Sequence, residues 1–319
     1  MDAPELLQKM KSGRDLLRSH LLPTELRLLE PSLNVWGKLE FQNPTGSFKD
    51  RPALYGVLFH REEVIRKGVL AASSGNFAQA VAHAATKIGA KSRIVMTSQT
   101  SKFKVERTQS FGGEVIFSGP SFESREALSK KLRDESGSIF LHPFDAWETM
   151  VGDGSLALEI LEQSEEDFDI FVPTSGGGLL AATAFVLKML RSGCRIFGVQ
   201  PKNNSSLESS FRSGSRQRVP GFQSICDSLI AVCPGEHTFP FIQKYVDDVY
   251  SPSEEQIQIS MREILQRFGL KVEPGAATAW AAFQMHGEFS KSRRKILALT
   301  GANVEDAIFK GMTQEKAET

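Results

Sequence analysis

The chain has 319 residues, 40% of them hydrophobic, which is enough for two domains or one large α/β body. Its 38 Lys and Arg balance 38 Asp and Glu, so a nucleic-acid or membrane-surface partner has no electrostatic footprint, and Arg293-Arg294-Lys295 reads as a solvated face before a strand. Three cysteines (Cys194, Cys226, Cys233) and six scattered histidines without CxxC or HExxH spacing exclude a patterned metal site and fit a reducing, cytoplasmic setting. There is also no apolar signal-peptide core and no span of the roughly 20 residues a membrane requires.

Residues 1–30 read as an N-terminal helix and an arm. Residues 35–41 alternate apolar and polar side chains, as a strand does, and lead into the stretch NPTGSFKDR from Asn43 to Arg51. Asn43, Pro44, Thr45 and Gly46 are turn formers, and Pro52 suits the first turn of a helix. Ala53, Leu54, Val57, Leu58, Val64 and Ile65 then follow with helical spacing toward a stop near Gly68. Lys49 is therefore expected at a junction just ahead of a helix. There the positive end of the helix dipole and the neighbouring Phe48 push an amine toward its neutral form, which attacks carbonyls. A solvated lysine paired with Asp50 is the competing reading.

Short apolar or β-branched runs recur at Val69–Ala72, 93–96, 114–117 and Ile139–Leu141, spaced as βα units require. The helical patterns between them stop at Gly89, Gly112 and Gly137. Residues 170–172, 196–199 and 296–299 repeat the strand theme, and helical patterns cover 179–190, Glu254–Phe268 and 304–309. Residues 202–224, rich in Ser, Asn, Arg and Gly, read as a surface excursion, and the tail after Gly311 as frayed. Such alternation defines an α/β fold of open parallel sheets covered by helices.

Ligands of open α/β sheets sit beyond the carboxyl ends of the strands. Three such ends are chemically rich. Ser73-Ser74-Gly75-Asn76 offers two hydroxyls, an amide and backbone N–H groups at a helix start, suited to a carboxylate; plain helix capping by Ser74 or Asn76 is the alternative. Ser175-Gly176-Gly177-Gly178-Leu179 joins a strand to a helix through three glycines, which permit positive φ and close approach of backbone amides to a phosphate. Its pattern is neither GxxxxGK[ST] nor GxGxxG. Thr300-Gly301-Ala302-Asn303 follows the last strand, where Thr300 either caps the final helix or presents its hydroxyl to a ring nitrogen.

Together, NPTGSFKDR, ASSGNFAQA, PTSGGGLL and ALTGANV resemble, in order and spacing, the fold type II pyridoxal-phosphate enzymes, the group of threonine dehydratase, serine racemase, threonine synthase and cysteine synthase. The resemblance runs from about Leu22 to Phe309. It implies two open parallel-sheet domains of the tryptophan synthase beta-like type with the cofactor in the crevice between them. Residues 1–67 and 146–319 would form the large pyridoxal-phosphate-binding domain and 68–145 the small one. Position by position, it implies Lys49 as the Schiff-base lysine next to Phe48, Asn76 as partner of the phenolic oxygen, and Ser175, Gly176, Gly177, Gly178 and Leu179 as the phosphate loop. Thr300 takes the place of the hydroxyl at the pyridine nitrogen, and Glu273 resembles a glutamate near the ring, against the reading of an acid at the start of a helix. Ser73, Ser74 and Gln79 match the loop for the substrate carboxylate.

Residues 142–145 with 152–155 resemble a dehydratase segment bordering the site, in which His142 reads as a packed loop histidine. The run 226–257, with Pro234-Gly235-Glu236 and Thr238 to Ile242, resembles the threonine dehydratase and serine racemase branch. Asp50 is commoner in the threonine synthase and cysteine synthase branches, and Phe77 stands where dehydratases usually carry His. Gln200, Asn203 and Asn204 replace the acids of metal-dependent members, and no metal is expected. The resemblance thus implies β-elimination from L-threonine or L-serine to a 2-oxo acid and ammonia, with Lys49 as base and Ser74 on the opposite ring face, in a homodimer without a regulatory domain. Threonine synthase-type replacement on a phosphorylated homoserine, serine racemisation and a non-catalytic interaction role are the alternatives.

Overall fold

The computed structural model describes residues 2–220, 224–287 and 292–314. Its strands are β1 (Leu26–Glu30), β2 (Val35–Leu39), β3 (Val69–Ala72), β4 (Ser92–Thr97), β5 (Gly113–Ser118), β6 (Ile139–Leu141), β7 (Phe168–Pro173), β8 (Arg195–Val199), β9 (Asp248–Tyr250) and β10 (Arg294–Leu299). They form two sheets, ordered β5-β4-β3-β6 and β1-β2-β10-β7-β8-β9. The chain divides into two compact units. One holds the residues up to Leu22 and Phe48–Ser155, and the other holds Pro23–Ser47 and the chain from Leu156 onward. The first unit thus includes the helices Ala3–Arg18, Asp50–Phe59 and Arg61–Lys67 in addition to residues 68–145. The N-terminal helix buries Leu6, Met10, Gly13 and Leu17, a stripe of helical period, and a Cβ at Gly13 would stand 2.7 Å from Val151 and 2.9 Å from Tyr55 of the same unit.

In the first unit all strand pairs are parallel, and β3, buried at every residue, lies between β4 and β6. Strand order therefore reverses between β3 and β6, the position where open α/β sheets bind ligands. Gly89, Gly112 and Gly137 adopt φ of +71°, +88° and +61°, the left-handed stops expected from their place after helical patterns. The helical run after Lys49 starts at Asp50, two residues before Pro52, and it breaks at His60 (φ −102°, ψ 24°) into two helices.

In the second unit β1 and β2 are antiparallel and all other pairs parallel, with β7 buried at all six residues. Successive strands β7, β8 and β9 run outward, and β10 returns to the other side of β7, so the order reverses between β7 and β10. The core gathers Trp280, Phe171, Phe197, Phe283, Leu297 and Leu299 around the helices Glu254–Phe268 and Pro274–His286. Fully buried Lys38 is neutralised by Glu159 and donates to the Thr24 carbonyl at 2.7 Å, so the charge it carries into the sheet is compensated. The stretch 202–224 is not only a surface excursion: Ser206–Ser213 is a helix that buries Ser206, Leu207 and Ser210. Its small polar residues conceal the buried face from a hydropathy reading. The final helix, Asp306–Thr313, carries structure past Gly311; residues 315–319 of the tail lie outside the described residues. None of the described helices is long and apolar enough to cross a membrane.

Candidate active site

Lys49 is the N-cap residue of Asp50–Phe59. Its partly buried side chain donates from Nζ to the Pro143 carbonyl at 2.6 Å, and its amine lies 4.7 Å from the Phe48 ring centroid and 5.6 Å from that of Phe77. Burial pushes the amine below the ordinary lysine range, and the nearby Asp153 carboxylate opposes that shift. The surface reading fails on these contacts, because Asp50 is buried and pairs with His83 at 3.3 Å. Pro143 follows β6, so Lys49 reaches the switch point of its own unit. The loop there is held by His142, whose Nδ1 accepts from the backbone N–H groups of Phe144 at 3.3 Å and Asp145 at 2.8 Å. That use of Nδ1 places the ring proton on Nε2 and makes His142 a packed loop residue.

Ser73-Ser74-Gly75-Asn76 follows β3 on the same side of the sheet. The helix Asn76–Lys87 is capped by Gly75 with no side-chain bond, so neither Ser74 nor Asn76 serves as its cap. The Ser73 hydroxyl accepts from the Gly75 N–H at 3.3 Å, and the Ser74 hydroxyl from Thr100 at 2.8 Å. A Cβ at Gly75 would meet nothing within 4 Å, so the loop opens onto space. Gln79 is buried, and its Oε1 accepts from Arg107 Nε at 2.9 Å.

In the second unit the glycine run follows β7. Gly177 has φ +101° and caps Gly178–Leu190, again with no side-chain bond to the first N–H groups. A Cβ there would lie 2.6 Å from Ile242 and 2.9 Å from Thr238 Oγ1, so glycine is required by conformation and by space. The loop is braced from behind: the Gly176 carbonyl accepts from Thr238 Oγ1 at 2.8 Å and from the Gly235 N–H at 3.0 Å, and Ser175 Oγ accepts from the Ala231 N–H at 2.9 Å. Asn204 donates to the carbonyls of Leu229 and Ala231 at 2.7 and 3.1 Å, and Gln200 accepts from the Leu207 N–H at 2.8 Å. These two amides hold backbone at positions where the resemblance has acids. Sequence reasoning noted Pro234 to Ile242 but missed this bracing; the signal was Thr238 and Gly235 inside that run.

Thr300, 3% exposed, follows β10, the strand beside β7. It does not cap the final helix, whose N-cap is Glu305. Glu273 is buried at the N-cap of Pro274–His286, but its side chain makes no capping bond. Its Oε2 accepts from the Asn303 N–H at 3.3 Å, and its backbone N–H donates to the Gly301 carbonyl at 3.0 Å. Glu273 therefore belongs to the Thr300 loop. Cys194 and Cys226 are buried, and burial pushes both thiols upward, which leaves them protonated and unreactive.

The donor set fits pyridoxal phosphate. A desolvated amine suits its aldehyde, and a buried glycine turn opening a 13-residue helix suits its phosphate. Two open sheets, parallel except for the β1–β2 pair, each with its polar loops at the strand-order reversal, define the class of α/β enzymes that bind a cofactor at strand ends. The chain belongs to the family of pyridoxal-phosphate dependent enzymes, which matches residues 17–301, and its fold is type II. It is 32% identical to the L-threonine ammonia-lyase of Geobacter sulfurreducens over 304 residues, covering 95% of this chain and 74% of that protein. It is also 32% identical to the L-threo-3-hydroxyaspartate ammonia-lyase of Saccharomyces cerevisiae, covering 96% and 92%. Among solved structures, maize serine racemase superimposes with a TM-score of 0.90 at 30% identity, covering 96% of each chain. The threonine deaminase of Solanum lycopersicum, in the processed form of isoform 2, superimposes with 0.89 at 26%, covering 98% and 94%.

Proposed function

We infer that this protein is a pyridoxal-phosphate-dependent ammonia-lyase that removes the β-hydroxyl of a hydroxy amino acid, L-threonine or L-serine, and yields a 2-oxo acid and ammonia. The observation that carries this reading is the Lys49 amine, desolvated between two aromatic rings and held by the Pro143 carbonyl at 2.6 Å. Relatives named as ammonia-lyases, matched over 74% and 92% of their own length, support it.

In this reading Lys49 holds the cofactor covalently until substrate arrives, and Phe48 and Asn76 lie beside it. The N–H groups of Ser175, Gly176, Gly177, Gly178 and Leu179 bind the phosphate. Bound pyridoxal phosphate supplies the electron sink for charge left at the substrate Cα. Ser73, Ser74 and Gln79 hold the substrate carboxylate. The freed Lys49 amine takes the Cα proton, a role worth about 10² to 10⁴ in rate. Thr300 offers the ring nitrogen a neutral hydroxyl, which does not keep it protonated, and Glu273 steadies the Thr300 loop from behind. Loss of the β-hydroxyl is then favoured over transamination, and the released enamine hydrolyses in water to the 2-oxo acid and ammonia.

Racemisation is the second reading, favoured by the Ser74 hydroxyl, which Thr100 fixes at 2.8 Å as a proton donor. Incubation with L-serine, L-threonine and O-phosphohomoserine, with assays for 2-oxo acid, D-serine and threonine, tests both. Turnover of the phosphorylated substrate alone overturns the lyase reading in favour of a synthase. Retained partner binding without cofactor absorbance would leave a non-catalytic interaction protein.

A further inference from the structure

Two threonines at the end of β4 stand behind the loop 73–76, and the reaction above gives Thr97 no part. β3 and β4 are neighbouring parallel strands, with Ala72 opposite Val95, so the residues that follow each strand lie side by side. The Ser73 N–H donates to the Val95 carbonyl at 3.1 Å, which ties the loop to β4. Thr97 closes β4, and the chain turns at once, with the Thr100 N–H donating to the Thr97 carbonyl at 3.0 Å. Ser101 then caps the helix Lys102–Ser110 by accepting from the Lys104 N–H. Thr100 is thus held between a turn and a cap, and its Oγ1 donates to Ser74 Oγ at 2.8 Å while lying 3.3 Å from Thr97 Oγ1.

A hydroxyl has one proton to give. Thr100 gives its proton to Ser74, so Thr97 is the donor in the contact between the two threonines, and both bonds run one way. The Ser74 oxygen is then engaged from behind, and Ser74 makes no other hydrogen bond among the described residues. Its own proton is left for a partner outside a loop that opens onto space at Gly75. We propose that Thr97 and Thr100 are positioning residues of Ser74, a one-way chain of hydroxyls that presents the Ser74 proton to the bound amino acid. Hydrogen bonds in such a chain polarise one another, so the last hydroxyl is a better donor than an isolated serine. The neighbouring groups are turned the same way: Ser73 Oγ accepts from the Gly75 N–H at 3.3 Å, and Gln79 Oε1 accepts from Arg107 Nε at 2.9 Å. With each oxygen engaged from within the protein, the loop meets a ligand with donors, and an amino-acid carboxylate is the acceptor that suits them.

The proposal rests on the reading of the loop 73–76 as the one that meets the substrate, and the test separates the two. Holoenzyme is mixed rapidly with L-serine and with L-threonine, and the change in cofactor absorbance before product accumulates gives each dissociation constant. Thr100→Val keeps the shape of the side chain and removes its hydroxyl. It is expected to raise the constant about three- to tenfold, the value of one hydrogen bond, and Thr100→Ser to restore the wild-type value. Thr97→Val, which removes only the polarising bond, should raise it about twofold. In a Ser74→Ala background Thr100→Val should cost nothing further, because the chain has lost the group it acts through. Thr100→Ala repeats the measurement where the valine variant does not fold. An equal loss from Thr100→Val in both backgrounds, or no loss where Ser74→Ala shows one, refutes the chain and leaves the substrate loop standing. Unchanged affinity in Ser74→Ala, or no absorbance response in the wild type, overturns the reading of the loop and the proposal with it.

Discussion

The Lys49 amine donates to the carbonyl oxygen of Pro143 over 2.6 Å, a contact between residues 94 apart that fixes the amine at the carboxyl end of β6. Burial has lowered the proton affinity of that amine in the folded state. Between the folded pKa and the unfolded value near about 10.4, the unfolded chain binds the extra proton, and stability therefore rises with pH. Below the folded pKa the amine is charged in both states and its desolvation cost is present in full. Wild-type apoenzyme is expected to gain stability relative to Lys49→Met as pH rises through that window. Denaturant melts of both proteins from neutral to alkaline pH check this, and a stability gap independent of pH contradicts it.

Gly177 carries the glycine loop after β7 in a conformation that L side chains rarely adopt, with Ile242 and Thr238 packed where a Cβ would stand. Gly177→Ala is expected to cost about 1–3 kcal/mol of stability, from strain and overpacking together. The displaced N–H groups should also weaken pyridoxal phosphate binding about tenfold, the equivalent of one charge-assisted hydrogen bond. Chemical melts of the apoenzyme and equilibrium dialysis of the cofactor separate the two effects.

What was legible in the sequence follows from periodicity. The runs at Val69–Ala72 and Ile139–Leu141 coincide with β3 and β6, and Glu254–Phe268 is a helix over its full expected length, because each has one apolar pattern facing one core. The helix Pro274–His286 had no such signal beyond its start, since it is buried on all sides from Pro274 to Phe283 and is rich in alanine. β1 and β9 are short or irregular: β1 pairs with β2 through a break in register between Leu28 and Glu30, and β9 has three residues. The polar loops were legible because together they match one family's motifs in order and spacing, although each alone reads equally as a helix cap or turn. Their bracing was not, because Ala231, Gly235 and Pro143 act through backbone groups that every residue type possesses.

Ser74 is fixed by Thr100 at 2.8 Å in a loop whose Gly75 faces open space. If Ser74 returns a proton to the substrate, Ser74→Ala should lower D-serine formation from L-serine by about 10²-fold or more, the usual weight of a positioned acid. Formation of 2-oxo acid should continue, because the proposed reaction takes the Cα proton with Lys49 and not with Ser74. Chiral chromatography of the products, run beside a 2-oxo acid assay, gives both rates from one reaction. Equal losses in the two would assign Ser74 to carboxylate binding alone.

Gln79 is buried, and the bond from Arg107 to its Oε1 at 2.9 Å decides how its amide is turned. With the oxygen occupied, the NH₂ group is the part left to serve as a donor, which is what a substrate carboxylate requires. Arg107 itself is stacked near Phe103 and Phe111, with ring centroids 5.8 and 5.7 Å away, so its guanidinium is held before it meets Gln79. Arg107→Met keeps the length and apolar packing of the stem but releases the amide to rotate. KM for L-serine or L-threonine is expected to rise about three- to tenfold, the value of one hydrogen bond, with kcat changing less. Steady-state kinetics on the two substrates measure the split, and a fall in kcat at constant KM would remove Gln79 from carboxylate binding.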